Sequence, residues 1–147
     1  MTNEDVIINK VAAIERCLTR VREEYQGDPS HLENLTVQDS IVLNLQRACE
    51  ATIDLAMHVV ATGRLGIPQD SRSAFELLYA NDMIGRELAD QLKAMVGFRN
   101  IAVHEYQKLH LPIIVSIVDN KLGKFEEFIR AVLKIGTSSG PDSSNSD

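Results

Sequence analysis

A stripe of side chains recurs at Val37, Ile41, Leu45, Ala48, Thr52, Leu55 and Val59, in steps of four and three. That spacing keeps the set on one face of a helix, whereas a strand would scatter it over both faces. Leu43, Ile53, Ala56 and Val60 widen the stripe. A helix apolar round so much of its girth suits a central position, or one facing a core on one side and a partner subunit on the other.

The same arithmetic covers the rest of the chain. From Glu4 to Tyr25 the apolar line is Ile7, Val11, Ile14, Leu18, Val21 and Tyr25, closed by Gln26-Gly27-Asp28-Pro29-Ser30. Thr36 or Asp39 can start the second helix, and Thr62-Gly63 can end it. Asp70-Ser71 caps a short third helix to about Tyr79, with Phe75, Leu77 and Leu78 inward. A fourth runs from about Ile84 toward His104, using Leu88, Leu92, Met95 or Val96, and Ile101 or Val103. A fifth opens at Leu111-Pro112, where proline is tolerated in the first turn, and continues through Ile114, Leu122, Phe125, Ile129 and Val132 to Gly136. Strand alternation, internal repeats and a glycine-rich phosphate loop are all missing from the sequence. The expected fold is all-α, an up-and-down bundle of four long helices plus a short one. The bundle domain is expected over 1–135, and 136–147 reads as a disordered Ser/Asp-rich tail.

A chain of 147 residues with 44% hydrophobic and 24% charged content is expected to be one globular domain with its own core. It has no apolar run of membrane-spanning length, and the acidic start Met1-Thr2-Asn3-Glu4-Asp5 does not resemble a signal peptide. A cytoplasmic location, with Cys17 and Cys49 as free buried thiols, is the corresponding expectation. The net charge of −6 argues against a general nucleic-acid coat, which needs a broad basic surface. It leaves room for an enzyme that grips one or two phosphates locally.

The chemistry concentrates in Arg99-Asn100-Ile101-Ala102-Val103-His104-Glu105-Tyr106. Arg99 brings a permanent charge and a planar fork of donors suited to phosphate. His104 can give and take protons near neutrality. At about 100° per residue, Arg99 and His104 stand about 140° apart on an ideal helix, whereas Arg99 and Tyr106 share a face. Convergence requires the helix to loosen near His104, the arginine to reach round, or a second subunit to complete the site. Composition and spacing alone favour the plainer reading, an arginine and a histidine stabilised near a helix C-terminus by its dipole. Elsewhere, Glu50, Asp54 and His58 form an i, i+4, i+8 stripe, an incomplete metal set that reads first as a solvated face. No metal or other cofactor is expected. Arg86 and Lys93 share a face with Asn100, as a solvated surface or a short basic track.

Gly97-Phe98-Arg99-Asn100 through Val103-His104-Glu105-Tyr106 resembles the signature of HEPN-domain ribonucleases, nearest their HepT-like toxin branch. Asp39, Asn44-Leu45 and Glu50-Ala51 resemble the same branch, with Ala48-Cys49 departing from its larger aliphatics. The resemblance implies a HEPN-like fold and a metal-independent endoribonuclease toxin. Arg99 and His104 would be catalytic, and Asn100, Tyr106, Asp39 and Glu50 supporting. The products would be 2′,3′-cyclic phosphate and 5′-hydroxyl ends, so DNA would be inert. It also implies a homodimer and a partner, a minimal nucleotidyltransferase (MNT-type) antitoxin that adenylylates Tyr106. The alternative is a non-catalytic nucleotide- or substrate-binding subunit serving such a transferase.

Overall fold

The computed structural model describes residues 2–104 and 110–138, with side chains through Ile135. Six α-helices and one 3-10 turn, Pro29–Glu33, account for most of these residues, and no strand occurs among them. The helices are α1 (Asn3–Tyr25), α2 (Leu35–Gly63), α3 (Ser71–Ala80), α4 (Arg86–His104), α5 (Leu111–Asn120) and α6 (Leu122–Ser138).

Local chemistry sets the helix ends. Thr2 and Asp5 form a reciprocal capping box on α1, and Asp70 and Ser73 form another on α3. The Asn34 side chain caps α2 by accepting from the Thr36 and Val37 amides at 2.9 and 3.2 Å. The second helix therefore begins at Leu35, ahead of Thr36, and Asp39 lies within it. Left-handed residues close α1 at Gln26 and α2 at Arg64, each at φ 53°.

The first two helices bury the lines their spacing sets out. Val11, Ile14, Leu18, Val21 and Tyr25 of α1 pack toward α2. In α2, buried residues run from Ile41 to Val60 around most of the circumference, with only Leu43 of the expected set exposed. It packs against α1, α3, α4 and α6, so it is the central helix. Phe75 of α3 meets Phe128 of α6 edge to face, centroids 5.8 Å apart, which ties the short helix to the end of the chain.

Three expectations are corrected. The fifth helix is two helices, broken at Lys121, whose amide bonds back to the Ile117 carbonyl at 2.8 Å while its own carbonyl accepts from Lys124. Asn120 and Gly123 flank the break and are weak helix formers, yet Val118, Leu122 and Phe125 keep their register across it. Next, α6 continues to Ser138, past Gly136; residues 139–147 of the expected tail lie outside the described residues. Last, Ile101 and Val103 are 37% and 44% exposed, and Phe98 and Ala102 are buried instead. The inward line of α4 runs Leu88, Leu92, Met95 and Val96, and then reaches Arg99.

Candidate active site

An arginine thus occupies the next position on the core-facing line of α4. Arg99 is half-buried beside Cys49 of α2. Burial pushes the Cys49 thiol up to about 12, Arg99 pulls it down, and neighbouring Glu50 pushes it up again. Cys49 is therefore a neutral thiol within range of the Arg99 charge. The Arg99 Nε donates to the Asn100 Oδ1 at 2.9 Å. Asn100 accordingly holds the arginine, where the sequence left open a bond to phosphate or to the histidine. Among the described residues no carboxylate forms an ion pair with Arg99. Glu50 is half-buried nearby, and Asp39 is exposed about three turns earlier on α2.

His104 is the last residue of α4, exposed, and the helix stays regular up to it. The helix does not loosen to bring Arg99 and His104 together: one turns to α2 and the other to solvent, about 140° round the axis. Glu105 and Tyr106 lie outside the described residues.

The two other clusters go elsewhere. Asp54 accepts from Lys10 Nζ of α1 at 3.0 Å, and His58 Nε2 pairs with the Asn3 side chain, also of α1. They fasten α1 to α2. Among the described residues no three of His, Cys, Asp and Glu are grouped as metal ligands. Arg86 and Lys93 are not an open basic track. Glu76 of α3 accepts two bonds from Arg86, at 2.7 and 3.2 Å, and one from Lys93 at 2.6 Å. Those bonds hold the Glu76 carboxyl down at about 2. Arg86 also reaches Asp90 at 3.0 Å and lies 3.9 Å over the Tyr79 ring. Successive α3–α4 contacts, Tyr79 with Arg86 and Glu76 with Lys93, run antiparallel. The sequence could not reveal these partners, because they depend on how the two helices register.

A half-buried arginine beside a solvent-facing histidine on one helix agrees with the residue run seen in the sequence, and comparison with known proteins gives it a family. The family model for the HepT-like ribonucleases matches residues 12–132. The chain belongs to the HepT-like ribonucleases. It is 50% identical over 128 residues to the mRNA nuclease HepT of Shewanella oneidensis, covering 87% of this chain and 96% of that protein. The tri-AMPylated Shewanella oneidensis HEPN toxin in complex with MNT antitoxin superposes with TM-score 0.84 at 50% identity, covering 91% of this chain and 99% of that one. A toxin–antitoxin crystal structure with AMP-PNP superposes equally well, TM-score 0.84, over 88% and 98% of the two chains. As a HepT-like ribonuclease the protein is an RNA-cleaving enzyme on a HEPN-type helical bundle. No helix among the described residues is long and apolar enough to cross a membrane.

Proposed function

We propose that the protein is a metal-independent endoribonuclease toxin whose active site is completed across a two-fold homodimer. The observation that carries this reading is the split of Arg99 and His104 to different faces of a regular helix. Arg99 of one protomer, held by Asn100, binds the scissile phosphate and stabilises the charge that grows there. The partner's His104 takes the proton of the 2′-hydroxyl, or gives one to the leaving 5′-oxygen. Attack of the 2′-oxygen on phosphorus breaks the bond to the 5′-oxygen and leaves a 2′,3′-cyclic phosphate and a 5′-hydroxyl. DNA has no such nucleophile and is not cut. The partially exposed Ile101 and Val103, beside these residues on α4, suit the dimer surface. Glu50 and Asp39 supply acidic character along the α2 side of the site.

Regulation follows from position. Tyr106 stands two residues after His104, and an MNT-type nucleotidyltransferase antitoxin that adenylylates it would place negative charge and bulk beside the phosphate subsite. The AMPylated state and MNT antitoxin of the Shewanella oneidensis relative support this partner. The location expected for such a pair is the cytoplasm. Cleavage of an RNA oligonucleotide in EDTA, yielding cyclic-phosphate ends, is the expected result. Activity lost in chelator and restored by a divalent ion would refute the His104 chemistry.

A further inference from the structure

Gly97 opens the run that carries Arg99 and His104, and a side chain of α3 lies close against it. A Cβ at 97 would lie 3.1 Å from Nη2 of Arg72, so the Arg72 guanidinium of α3 rests over the α4 backbone there. Arg72 is exposed and forms no ion pair with any described carboxylate, although Asp70 feels its charge. Its neighbours on the same helix pair differ, since Arg86 and Lys93 are both tied to Glu76. Gly97 and His104 are seven residues apart, about two turns and about 10 Å along the axis, with an angular offset of only about 20°. Arg72 therefore stands on the His104 face of α4, whereas Arg99 is turned away from that face toward α2. In a chain of net charge −6, an exposed guanidinium that no described carboxylate ties in an ion pair is a local attractor for phosphate, even with Asp70 within range of its charge.

We propose that Arg72, seated over Gly97, binds a second backbone phosphate of the RNA substrate, flanking the one at which His104 acts. The proposal rests on the ribonuclease reading and adds a substrate-binding residue to it. A phosphate about two turns from His104 belongs to a neighbouring nucleotide, so Arg72 sets a minimum substrate length and contributes affinity with no preference for base. No base edge is read by such a contact.

The test uses full-length wild type, Arg72→Ala and Arg72→Lys. Binding is measured with a short single-stranded RNA carrying 2′-O-methyl groups, which cannot be cleaved, over a range of salt. Cleavage is measured on a dinucleotide and on a longer unmodified RNA. Arg72→Ala is expected to bind about fivefold more weakly, with the salt slope reduced by about 0.7, the value for one single-strand phosphate contact. Arg72→Lys restores the slope. Cleavage of the longer RNA falls through KM, and the dinucleotide is cut at the wild-type rate. Wild-type affinity and slope in Arg72→Ala overturn the proposal and leave the ribonuclease reading standing. An equal loss on both substrates, or a change only in capture of the nucleotidyltransferase partner, also overturns it. A wild type that neither binds nor cuts RNA overturns both readings.

Discussion

The two halves of α4 carry the same kinds of residue and use them in opposite ways. In the first half, Arg86 and Lys93 converge on Glu76, with Asp90 and the Tyr79 ring completing the cluster. In the second half, Arg99 lies half-buried on the core line with Asn100 bonded to its Nε and no ion pair to a carboxylate among the described residues, and His104 faces solvent. A cation with a carboxylate at hand fastens one helix to another, and its charge is spent locally. A cation whose helix neighbours supply an amide oxygen instead is oriented and keeps its charge for an anion from outside. On the proposed function, the difference between a structural arginine and a substrate-binding one is set by which partner lies at hand, a carboxylate of α3 for Arg86 and the Asn100 amide of α4 itself for Arg99.

The sharpest way to break the comparison is to remove a group from each half. Arg99→Ala and His104→Ala are each expected to lower cleavage by about 10²- to 10³-fold, with the thermal midpoint close to wild type. Multiple-turnover kinetics alongside a melting curve checks both. Retained cleavage in either variant would mean that the second half of α4 is no more catalytic than the first.

Tyr106→Phe loses one hydroxyl and is expected to keep most of its ribonuclease activity. It should escape modification by the nucleotidyltransferase and ATP. Intact-mass measurement after incubation shows adenylyl increments on wild type and none on this variant. Equal modification of both would remove Tyr106 as the acceptor.

A smaller effect is expected in the first half. Glu76→Gln should leave cleavage unchanged and lower the melting temperature by a few degrees at neutral pH, because its ion pairs are partly solvated. Its carboxyl is held at about 2, against an ordinary value of 4.5. The stabilisation is therefore complete above about pH 4.5 and fades as pH falls toward 2. The gap between wild type and Glu76→Gln should be widest near neutrality and close in acid. A gap that widened in acid would contradict the pairing.

Much of this architecture was legible before any coordinates. The stripes of α1 and α2 predicted most of their buried faces, with Ile7 and Val37 half-buried and Leu43 exposed, because a long amphipathic helix against a core leaves little choice. The break at Lys121 was invisible, since one non-helical residue does not disturb the register of Val118, Leu122 and Phe125. Placing Ile101 or Val103 inward fails because counting apolar residues passes over an arginine on the core line. At the site, residue types and spacing alone favour a helix end stabilised by its dipole, and it is the resemblance of Gly97-Phe98-Arg99-Asn100 and Val103-His104-Glu105-Tyr106 to the family signature that singles out Arg99 and His104. The amide that holds Arg99, and the glycine over which Arg72 rests, depend on rotamers and on the register of α3 with α4. Neither is written in the spacing along one helix.

The composite site is the central claim, and mixing two inactive variants tests it most directly. Arg99→Ala and His104→Ala protomers are each expected to be nearly inactive alone. If Arg99 of one protomer works with the partner's His104, a mixed dimer holds one doubly altered site and one intact site. With random exchange, half the dimers are mixed and half their sites are intact, so about a quarter of wild-type cleavage should return. If both groups serve a site within one protomer, every site in every dimer lacks one of them. Mixing would then restore nothing, and the account of a site shared across the dimer would be contradicted.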